Sequence, residues 1–424
     1  GAELTASRLL APYFGTSWSV WASRMGLILV ALAAGYWRGG RWADKSPALS
    51  TLLLITLLAG IILSAVPLLS RPILAIALEG FARFEFGMLL GSFAGIMVLL
   101  GPPMVLQGCI TPFAVRLAVT DLENTGRVAG RLFALGTLGS FIGAFVPTVF
   151  FVPVIGTRWT FTVFGAAMLF ITLVGQLLER RWKHAGLAAA LLGLSILAGF
   201  AAAGSPVKPG DGLVFEAESP YQYVRVVQKK TGWRVLELNE GVVVHSKYHP
   251  DKPLSFGEWD FVALAPYFNP SPYHPIERAK RWAVIGAGAG TTARLANKLY
   301  SPHIIDGVEI DPVVVEAGER FFDAKMDNYR VAVNDGRAWL TLNEERYDVI
   351  TIDAYRQPYI PFELSTVEFF QQVRDHLKDT GVVAINVSRP PGDLRLVNAL
   401  ATTMQQVFPS IFFMHLPERS LATI

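Results

Sequence analysis

The stretch Arg281–Asp311, RWAVIGAGAGTTARLANKLYSPHIIDGVEID, has the pattern of one βαβ unit. An apolar strand runs into a turn that contains Gly286, Gly288 and Gly290, and a helical run and a second apolar strand then end at Glu309. Glycines at a strand-to-helix turn let the backbone approach a ligand closely, and an acid roughly 20 residues further on can accept both hydroxyls of a ribose. The stretch therefore predicts a site for a nucleoside.

Two further predicted strands of this half also lead into acidic residues. Asn334-Asp335-Gly336 closes the third strand, where a carboxylate can reach an adenine amino group, and the fourth strand, YDVITI, ends at Asp353. Ligands of open α/β sheets bind outside the carboxyl ends of the strands, so we expect Glu309, Asp335 and Asp353 to face one crevice. Each acid alone is equally a candidate helix N-cap or turn former, but three acids in register favour a ligand site.

Together these motifs resemble those of the spermidine synthases, also called polyamine aminopropyltransferases. The resemblance covers about 218–416 and rests on ESPYQ, LNEG, VIGAGAG, VEIDP, NDG and YDVITIDAY. It looks most like a membrane-fused branch, in which such a domain follows a polytopic helical half. It implies a methyltransferase-like Rossmann fold, decarboxylated S-adenosylmethionine as co-substrate, and Asp353 as the base that deprotonates the attacking amine. Glu309 would then hold the ribose, with Asp335 and Gly336 on the adenine side and the glycine turn beside the thioether.

Three positions depart from the pattern of that family. Members usually carry an Asp where this chain has Ala289, a Gln where it has Val243 or Val244, and a second acid where it has Arg356. The missing groups are those that would hold the aminopropyl ammonium or the acceptor amine. Because a cationic polyamine needs carboxylates to replace its hydration, these departures disfavour an ordinary putrescine acceptor. The nucleoside site is better preserved than the amine site.

The resemblance also places the acceptor pocket and the dimer contacts in a small β region ahead of the sheet. We expect Tyr221 and Gln222 on the acceptor side, together with Asp260, which aligns with the acid of a Tyr-His-Glu triplet of the family. Tyr355 follows the catalytic strand in a segment rich in aromatic residues and prolines. This segment fits a lid that excludes water and, equally, a turn that packs Tyr355 on the sheet.

The bulk composition indicates a membrane protein with a soluble half. The 424 residues are 52% hydrophobic and only 17% charged, with a positive mean hydropathy, which is too apolar for an ordinary soluble protein. A net charge of +3 is too small to imply a nucleic-acid partner. The single Cys109 forms no intrachain disulfide, and His245 and His249 have no partner at zinc spacing, so we expect no metal.

Apolar runs and a Pro/Gly-rich segment divide the chain. The first run, at 1–13, looks like a helix whose front half precedes Gly1, and six more runs are long enough to span a bilayer, at 20–36, 49–69, 86–118, 132–154, 161–178 and 185–203. Gly101-Pro102-Pro103 predicts a kink in the 86–118 run. The predicted fold class is an α-helical polytopic membrane domain followed by an α/β Rossmann-like, methyltransferase-type domain with a small N-terminal β region. The predicted bounds are a bundle at 1–203, a linker at 204–212, the β region at 213–268 and the Rossmann-like domain at 269–424.

Within the second half, the periodicity predicts a mostly parallel sheet with an antiparallel end. The predicted elements of the β region are strands at 221–228, 233–238 and 242–245. Towards the C-terminus they are a helix at 365–377, a strand at 382–387, a helix at 393–407 and a last strand at 411–415.

Basic residues in the loops bear on orientation in a prokaryotic inner membrane. The loops after the second, fourth and sixth runs are the richer in Arg and Lys, so the positive-inside rule makes them cytoplasmic, and GGRWADK resembles a cytoplasmic loop of major-facilitator transporters. Seven spans would then leave the soluble domain outside, where no adenosylmethionine is expected. Either the 86–118 run re-enters or doubles back, or the domain lies outside and uses another ligand. The nucleoside-site motifs favour a cytoplasmic domain.

Ionisable residues near membrane depth offer a second candidate site. Glu3 and Arg8 on the first helix and Arg24 on the second are costly in a bilayer unless they are paired. They fit either a packing pair near a helix end or a substrate path that Gln107 could join.

The sequence leaves three functions open. The first is a membrane-anchored aminopropyltransferase that uses decarboxylated S-adenosylmethionine and an amine acceptor of unknown identity, and releases methylthioadenosine. The second is an S-adenosylmethionine-dependent methyltransferase, and the third is a degenerate nucleoside-binding domain that serves as a sensor or assembly partner. Asp353 favours the first, whereas Ala289 and Arg356 favour the other two. The expected partners are the lipid bilayer, the acceptor and, by the resemblance, a second copy of the chain.

Overall fold

The computed structural model describes residues 1–81, 87–119, 125–241, 243–355, 360–388, 392–415 and 421–423. The chain forms two compact units. The first comprises Gly1–Pro209 and Glu218–Tyr223, and the second comprises Gly210–Ala217 and Val224–Ile424.

The first unit is built from helices, and each predicted apolar run falls mainly on helix. The helices are α1 (Ala2–Phe14), α2 (Trp18–Lys45), α3 (Leu49–Phe81), α4 (Gly87–Leu99), α5 (Gly101–Ala118), α6 (Thr125–Val146), α7 (Val152–Leu178) and α8 (Trp182–Ala203). Among the described residues, four helical stretches are long and apolar enough to cross a membrane, or five if α4 and α5 count as one bent span. The four are Trp18–Lys45, Leu49–Phe81, Thr125–Leu178 and Trp182–Ala203.

Two irregular places in this unit coincide with proline and glycine. Helices α4 and α5 are bent by 52° at their junction, directly before Pro102 and Pro103, which lack the N–H group that a continuous helix uses. The predicted kink is confirmed, and a bend of 52° is too small for the run to double back. A π-helical turn, Pro147–Phe151, precedes α7, and Gly156 within α7 has a φ of 78°, so the helical path from α6 is broken there.

Small residues bring α2 and α5 into close contact. A Cβ atom on Gly39 would lie 2.5 Å from the Cα atom of Cys109, and Gly35 and Gly108 face each other one turn away. The thiol of Cys109 donates to the carbonyl of Gly35 at 3.3 Å. Glycine is needed at these places because the two backbones meet directly, as in helix pairs of membrane proteins. The buried Cys109 therefore has a packing role.

The ionisable residues singled out near the start of the chain also make local contacts. Arg24 is buried and donates to the hydroxyl of Ser7, and Arg8 donates to the backbone carbonyl of Pro220. Gln107 contacts the sulfur of Met168 at 3.9 Å. These contacts fit the packing interpretation of the polar residues.

A small antiparallel sheet of order β1-β2-β3-β4 belongs to the second unit except for Glu218 and Tyr223. Its strands are β1 (Leu213–Glu218), β2 (Tyr223–Gln228), β3 (Arg234–Leu238) and β4 (Val244–Tyr248). Three of these correspond to predicted strands, with starts shifted by one or two residues, whereas β1 was not predicted. The glycine-containing turn of β2 and β3 sets the register that pairs Gln228 with Arg234.

The described part of the chain forms a larger sheet of seven strands in the order β10-β11-β9-β8-β5-β6-β7. The strands are β5 (Arg281–Ile285), β6 (Ile304–Glu309), β7 (Tyr329–Val333), β8 (Tyr347–Ile352), β9 (Leu377–Ser388), β10 (Met414–His415) and β11 (Leu421–Thr423). The helices of this unit are α9 (Glu258–Val262), α10 (Pro275–Arg278), α11 (Thr291–Tyr300), α12 (Pro312–Phe321), α13 (Gly336–Leu342), α14 (Val367–Asp375) and α15 (Arg395–Gln405). Strands β5 to β9 pair in parallel, and β11 pairs antiparallel with both β9 and β10.

The predicted parallel sheet with an antiparallel end is confirmed as a Rossmann-like, methyltransferase-type fold. The predicted last strand at 411–415 is wrong in extent, because only Met414 and His415 are extended and β11 supplies the antiparallel neighbour. Strands of two or three residues are too short to show a periodic pattern. Strand β9 also begins five residues earlier than predicted.

The centre of the sheet is apolar on both faces, as expected of parallel strands covered by helices. All six residues of β8 are buried, and Trp282 of β5 and Tyr347 of β8 are fully buried. Phe369 and Phe370 of α14 pack on one face with Leu400 of α15. This core holds the carboxyl ends of β5, β6, β7 and β8 in fixed positions relative to one another.

Candidate active site

Polar groups stand in a row along the carboxyl edge of the large sheet. Four neighbouring strands lie there in the order β7, β6, β5, β8. Asp335 follows β7, Glu309 is the last residue of β6, Gly286 is the first residue after β5, and Asp353 is the first residue after β8. Adjacent strands lie about 4.8 Å apart, so three strand spacings separate Asp335 from Asp353 by about 14 Å. The row is about as long as a nucleoside with a short chain.

The glycine turn lies between the acids and approaches the backbone closely. The N–H groups of Gly286 and Ala287 both donate to the carbonyl of Val308 at 2.9 Å, which folds the turn over the end of β6. Gly286 has a φ of 81°, and a Cβ atom there would lie 2.5 Å from the carbonyl oxygen of Asp353. Glycine is therefore required at this position both by conformation and by space.

The turn continues into α11 through two more glycines. Gly288 has a φ of 53° and Gly290 a φ of 84°. Gly290 is the N-cap of α11, and no described side chain caps this helix. An uncapped N-terminus leaves backbone N–H groups available to a polar ligand.

Glu309 is held by the turn that it faces. Its Oε2 accepts from the N–H of Gly288 at 2.9 Å, and its Oε1 accepts from the N–H of Asp311 at 3.1 Å. A carboxylate offers about four acceptor positions, so these two bonds orient it and leave capacity for two hydroxyls of a ribose. Burial raises the pKa of Glu309 to about 7, although the two N–H groups act in the opposite direction.

Asp335 is a helix cap as well as a member of the row. Its Oδ1 accepts from the N–H of Ala338 at 2.9 Å, which caps α13. The alternative interpretation as an N-cap is thus correct for one of its two oxygens, and the role at adenine stays a prediction. Next to it, a Cβ atom on Gly336 would lie 2.6 Å from the Cγ2 atom of Ile285, so glycine lets α13 approach the sheet.

Asp353 lies at the end of the row, and its pKa is shifted further from the ordinary value than that of Glu309. Its Oδ1 accepts from the Nδ2 of Asn386 at 3.0 Å, and the side chain of Trp259 also donates to it. Burial raises the pKa of Asp353 to about 7, and the charges of Glu258 and Glu309 raise it further against the effect of these hydrogen bonds. A carboxyl group with a pKa near neutral pH suits general base catalysis.

Tyr355 is held against β9 by its hydroxyl group. The hydroxyl donates to the carbonyl of Asn386 and accepts from the N–H of Ser388, both at 2.6 Å. Burial raises the pKa of this phenol above its ordinary value. The structure thus has Tyr355 packed on the sheet, and its acceptor role stays a prediction. Arg356 and Tyr359, which follow it, lie outside the described residues.

Asp260 organises its own loop. Its Oδ1 accepts from the N–H and the hydroxyl of Ser255 at 2.9 and 2.8 Å, and its Oδ2 accepts from the N–H of Phe256 at 2.7 Å. Glu258, two residues earlier, is the acid whose charge acts on Asp353 and Tyr355. Sequence reasoning missed Glu258 because it aligned only the last acid of the segment with the family triplet.

Asn386 is the second residue that sequence reasoning missed. It interrupts an otherwise apolar run of β9, VVAINV, and is only 5% exposed. A polar residue within the apolar run of a buried parallel strand was the available signal, because such strands are usually continuous apolar runs.

The two remaining predicted acceptor residues, Tyr221 and Gln222, belong to the first unit. They lie in a turn where both of their N–H groups donate to the hydroxyl of Ser219. The side chain of Tyr221 is half exposed. Val243, at the position where the family carries a Gln, is also exposed, and the preceding residue, 242, lies outside the described residues. The acceptor role of Tyr221 and Gln222 stays a prediction. No group of three or more His, Cys, Asp or Glu side chains among the described residues could hold a metal.

Ala289, where the family carries an acid, has a packing role. Its N–H donates to the hydroxyl of Ser246 on β4 at 2.9 Å, and its side chain is only 1% exposed among apolar residues that include Val224 and Leu236. The hydroxyl of Thr291 also exchanges hydrogen bonds with the backbone of Lys247 on β4. An acid at position 289 would be buried against the small sheet, which is unfavourable. The packing of this sheet on the glycine turn therefore explains why the residue is apolar here.

The fold is that of a Rossmann-like domain of the methyltransferase type, with a row of polar groups at the carboxyl edge of its sheet. A family model, the spermine/spermidine synthase domain, matches residues 269–422. The polyamine aminopropyltransferase of Vibrio vulnificus is 30% identical over 226 residues, which are 51% of this chain and 72% of that protein. The chain belongs to the spermine/spermidine synthase family.

Other similarities cover the same half of the chain. The probable polyamine aminopropyl transferase of Bifidobacterium longum is 34% identical over 197 residues, which are 46% of this chain and 42% of that protein. The chain thus matches less than half of the length of this relative. A solved structure, "Crystal Structure of Spermidine Synthase in Complex with Transition State Analogue AdoDATO", has 20% identity and a TM-score of 0.41, and the alignment covers 50% of this chain and 71% of that one.

Proposed function

We propose that the second unit transfers an aminopropyl group from decarboxylated S-adenosylmethionine to an amine acceptor and releases methylthioadenosine. The observation that carries this proposal is the order of groups along the sheet edge. Asp335, Glu309, the glycine turn and Asp353 follow one another as adenine, ribose, thioether and reacting chain follow one another in the co-substrate. The family membership of the chain supports the same reaction.

The residues at the edge fit this co-substrate. Glu309 has its carboxylate oriented by two N–H groups and retains acceptor capacity for the ribose. The turn from Gly286 to Gly290 has no side chain at three of its five positions, so the backbone can lie against the thioether. Asp353 lies one strand beyond the turn, next to where the propyl carbon would lie.

Asp353 acts as the general base in the proposed reaction. The amine nitrogen forms a bond to the carbon beside the sulfonium as the carbon–sulfur bond breaks. The sulfur keeps that electron pair and becomes the neutral thioether of methylthioadenosine. Asp353 accepts the proton that the amine loses, for which its raised pKa is well matched. Asn386 and Trp259 orient the carboxylate, so its position is fixed before the substrate binds.

The charges at the end of the row favour the decarboxylated co-substrate over intact S-adenosylmethionine. Glu258 and Asp353 are both acidic and close enough for one to raise the pKa of the other. A carboxylate on the ligand chain would add a third negative charge there, which is unfavourable in a partly buried site. Ala289, which favoured a methyltransferase, has a packing reason to be apolar.

Calorimetric titration of the purified full chain tests this choice. We expect decarboxylated S-adenosylmethionine and methylthioadenosine to bind, and intact S-adenosylmethionine to bind at least about tenfold more weakly. Tighter binding of intact S-adenosylmethionine would favour methyl transfer instead. If none of the three nucleosides binds, the domain is a degenerate scaffold that has kept the fold and lost the chemistry.

We also propose that the first unit lies in the inner membrane of a prokaryote and that the second unit lies in the cytoplasm. Within the described ranges, four helical stretches, or five if α4 and α5 count as one bent span, have sufficient length and apolarity and support the first point. The need for an adenosylmethionine-derived ligand supports the second. The chain has one cysteine, which is buried, so labelling can be confined to an added residue. The variants Lys45→Cys and Lys325→Cys, both at exposed positions, provide one probe in each unit.

A membrane-impermeant maleimide applied to spheroplasts tests this arrangement. We expect Lys325→Cys to be protected in intact spheroplasts and labelled after lysis. Labelling before lysis would place the second unit outside and contradict the proposal. We also keep two further points as proposals: the first unit resembles half of a major-facilitator transporter, and the chain forms a homodimer. The mass of the detergent-solubilised particle measures the number of chains and so tests the second point.

A further inference from the structure

Two neighbouring loops of the small sheet carry aromatic side chains that the proposed reaction does not use. One loop is the turn at 229–233 between β2 and β3, and the other follows β4 at 249–256. Trp233 joins the two, because its ring lies 5.2 Å from that of His249 and meets that of Phe256 edge-on at 6.2 Å. We call these two loops the aromatic surface.

Phe256 is presented to solvent by a backbone conformation that is unusual for its residue type. Its side chain is 67% exposed, although the ring is large and apolar. Its φ is 52°, in the left-handed region that residues with a side chain rarely adopt. Asp260 holds this conformation, because its carboxylate accepts the N–H groups of both Ser255 and Phe256. Backbone strain that is maintained at an exposed apolar residue points to a function for the ring in this position.

The side chains around Phe256 have the composition of a lipid–water interface. Leu254, on the same loop, is 41% exposed. Lys230 and Lys252 are exposed beside these apolar side chains, and the ammonium group of Lys252 lies 5.7 Å from the centre of the Trp233 ring. Apolar side chains that enter the acyl boundary, next to lysines that reach lipid phosphates, are typical of elements that lie on a membrane.

The charges of the aromatic surface also suit a phospholipid. Its lysines are Lys229, Lys230 and Lys252, and its acid is Asp251. Lys229 and Arg225 share the carboxylate of Glu237, so these three groups together add one positive charge. Asp211, where the chain enters β1, reduces the positive charge without reversing it. A net positive charge attracts the phosphate groups of anionic lipids.

The aromatic surface lies where the chain enters the small sheet from the helical segments. The carbonyl of Gly212, the residue before β1, accepts from the N–H of Gln228, which directly precedes the first loop of the surface. The chain reaches Gly212 from α8 through residues 204–211, and α8 is one of the described stretches that are long and apolar enough to cross a membrane. A bilayer around α8 is therefore tied to this end of the small sheet by a short segment of chain.

We propose that the aromatic surface binds the surface of a phospholipid bilayer, with Phe256 and Leu254 in the acyl boundary and Lys230 and Lys252 at the phosphate groups. This inference goes beyond the proposed reaction, and it rests on the proposal that the first unit lies in a membrane. The contact holds the second unit in one orientation at the membrane surface.

Lipid quenching of a probe at position 256 tests this contact in the full chain. Phe256→Cys is labelled with an environment-sensitive fluorophore, which reacts at the added thiol because Cys109 is buried. The protein is then reconstituted in nanodiscs of phosphatidylcholine and phosphatidylglycerol that contain a lipid with a nitroxide on its upper acyl chain. The nitroxide should quench more than half of the emission, because side chains of interfacial elements lie about 5 to 10 Å deep.

Two further probe positions serve as controls. Leu342→Cys, at an apolar position of α13 that is 79% exposed, is the matched control and should keep its emission. Phe170→Cys, at an exposed position of α7, reports whether the first unit lies in the bilayer and should be quenched. The double variant Lys230→Glu, Lys252→Glu should lower the quenching at position 256, whereas Lys325→Glu, at an exposed position outside the aromatic surface, should leave it unchanged.

The outcomes separate this inference from the membrane proposal. Quenching at 170 but not at 256, or equal quenching at 256 and 342, would overturn the lipid contact and leave the first unit in the membrane. No quenching at 170 would overturn both. A probe at 256 that is shielded from aqueous iodide yet not quenched by the nitroxide lipid would show that a second copy of the chain covers the surface instead. Unchanged quenching in the double lysine variant would overturn the role of the lysines. Thermal melting of each variant checks the fold, and Leu254→Cys repeats the test if Phe256→Cys does not fold.

Discussion

Replacing Asp353 by Asn tests directly whether Asp353 is the general base of the proposed reaction. The amide has the size of the carboxyl group, and its oxygen can still accept the Nδ2–H of Asn386, which lies 3.0 Å from Oδ1. The change therefore keeps the size of the group and the contact with Asn386, and it removes the negative charge together with the capacity to take a proton. General base catalysis contributes about 10²- to 10⁴-fold, so kcat should fall by that factor. Binding of methylthioadenosine should stay within about twofold, because the nucleoside contacts lie on other strands.

The pH dependence follows from the same group. With a pKa of about 7, Asp353 is about 90% ionised at pH 8 and about 10% ionised at pH 6, so kcat/KM should fall about tenfold between these values. Glu309 also has a pKa of about 7. If its charge is needed for ribose binding, the fall in kcat/KM becomes steeper, whereas the fall in kcat at saturating nucleoside keeps the slope of one group.

Stability should depend on pH in the opposite direction to activity. The pKa of Asp353 is raised from 3.8 to about 7 on folding, so between these pH values the native state holds a proton that the unfolded chain has released. The free energy of unfolding therefore falls as pH rises, by at most about 4 kcal/mol for a shift of about 3 units and by less because the group keeps some solvent contact. Asp353→Asn removes this loss, so the variant should melt higher than the unchanged chain at pH 8 and equally at pH 4.

The assays are steady-state release of methylthioadenosine and thermal melting, both measured across this pH range. Retained turnover in Asp353→Asn would remove Asp353 from the role of base. If the difference in melting temperature between Asp353→Asn and the unchanged chain is the same at pH 4 and at pH 8, the pKa of Asp353 is not raised in the native state.

Three other substitutions test the rest of the row. Glu309→Gln replaces one acceptor with an amide N–H that must face the N–H of Gly288 or Asp311, so methylthioadenosine affinity should fall by about 10- to 100-fold in a calorimetric titration. Gly286→Ala should destabilise the domain by more than about 2 kcal/mol in thermal or chemical unfolding, whereas Gly392→Ala, at a similar positive φ with no described atom within 4 Å of the added Cβ, should cost clearly less. Asp335→Ser keeps the cap of α13 and removes the second oxygen, so it should lower nucleoside affinity with little change in melting temperature; equal affinity would limit Asp335 to capping.

Much of the fold was predictable because the strong signals are local and periodic. The strand at 347–352 is apolar or aromatic at four of its six positions and is buried in the centre of a parallel sheet, as such a run predicts. The glycine turn after β5 was predicted from its spacing, and its positive φ values explain the glycines. The kink before Pro102 follows from the missing N–H group of proline.

The parts that sequence reasoning missed depend on tertiary packing. Strands β10 and β11 have two and three residues, and β11 exists because its neighbour β9 offers an edge. Asp260 and Glu258 differ by two positions in one short segment, and only the fold decides that Asp260 closes a loop while the charge of Glu258 raises the pKa of Asp353. Ala289 stands where the family carries an amine-binding acid, and only the fold shows that this side chain packs among apolar residues against the small sheet.

The central claim is that the row of groups on the sheet edge performs aminopropyl transfer, and product analysis tests it most directly. The purified full chain is incubated at pH 8 with decarboxylated S-adenosylmethionine and putrescine, and the nucleoside and amine products are separated and identified by mass. We predict equal amounts of methylthioadenosine and of an amine heavier by one aminopropyl group, with neither formed by Asp353→Asn. Bound co-substrate that is recovered unchanged with every amine tested, or methylthioadenosine formed without an aminopropylated product, would contradict the claim.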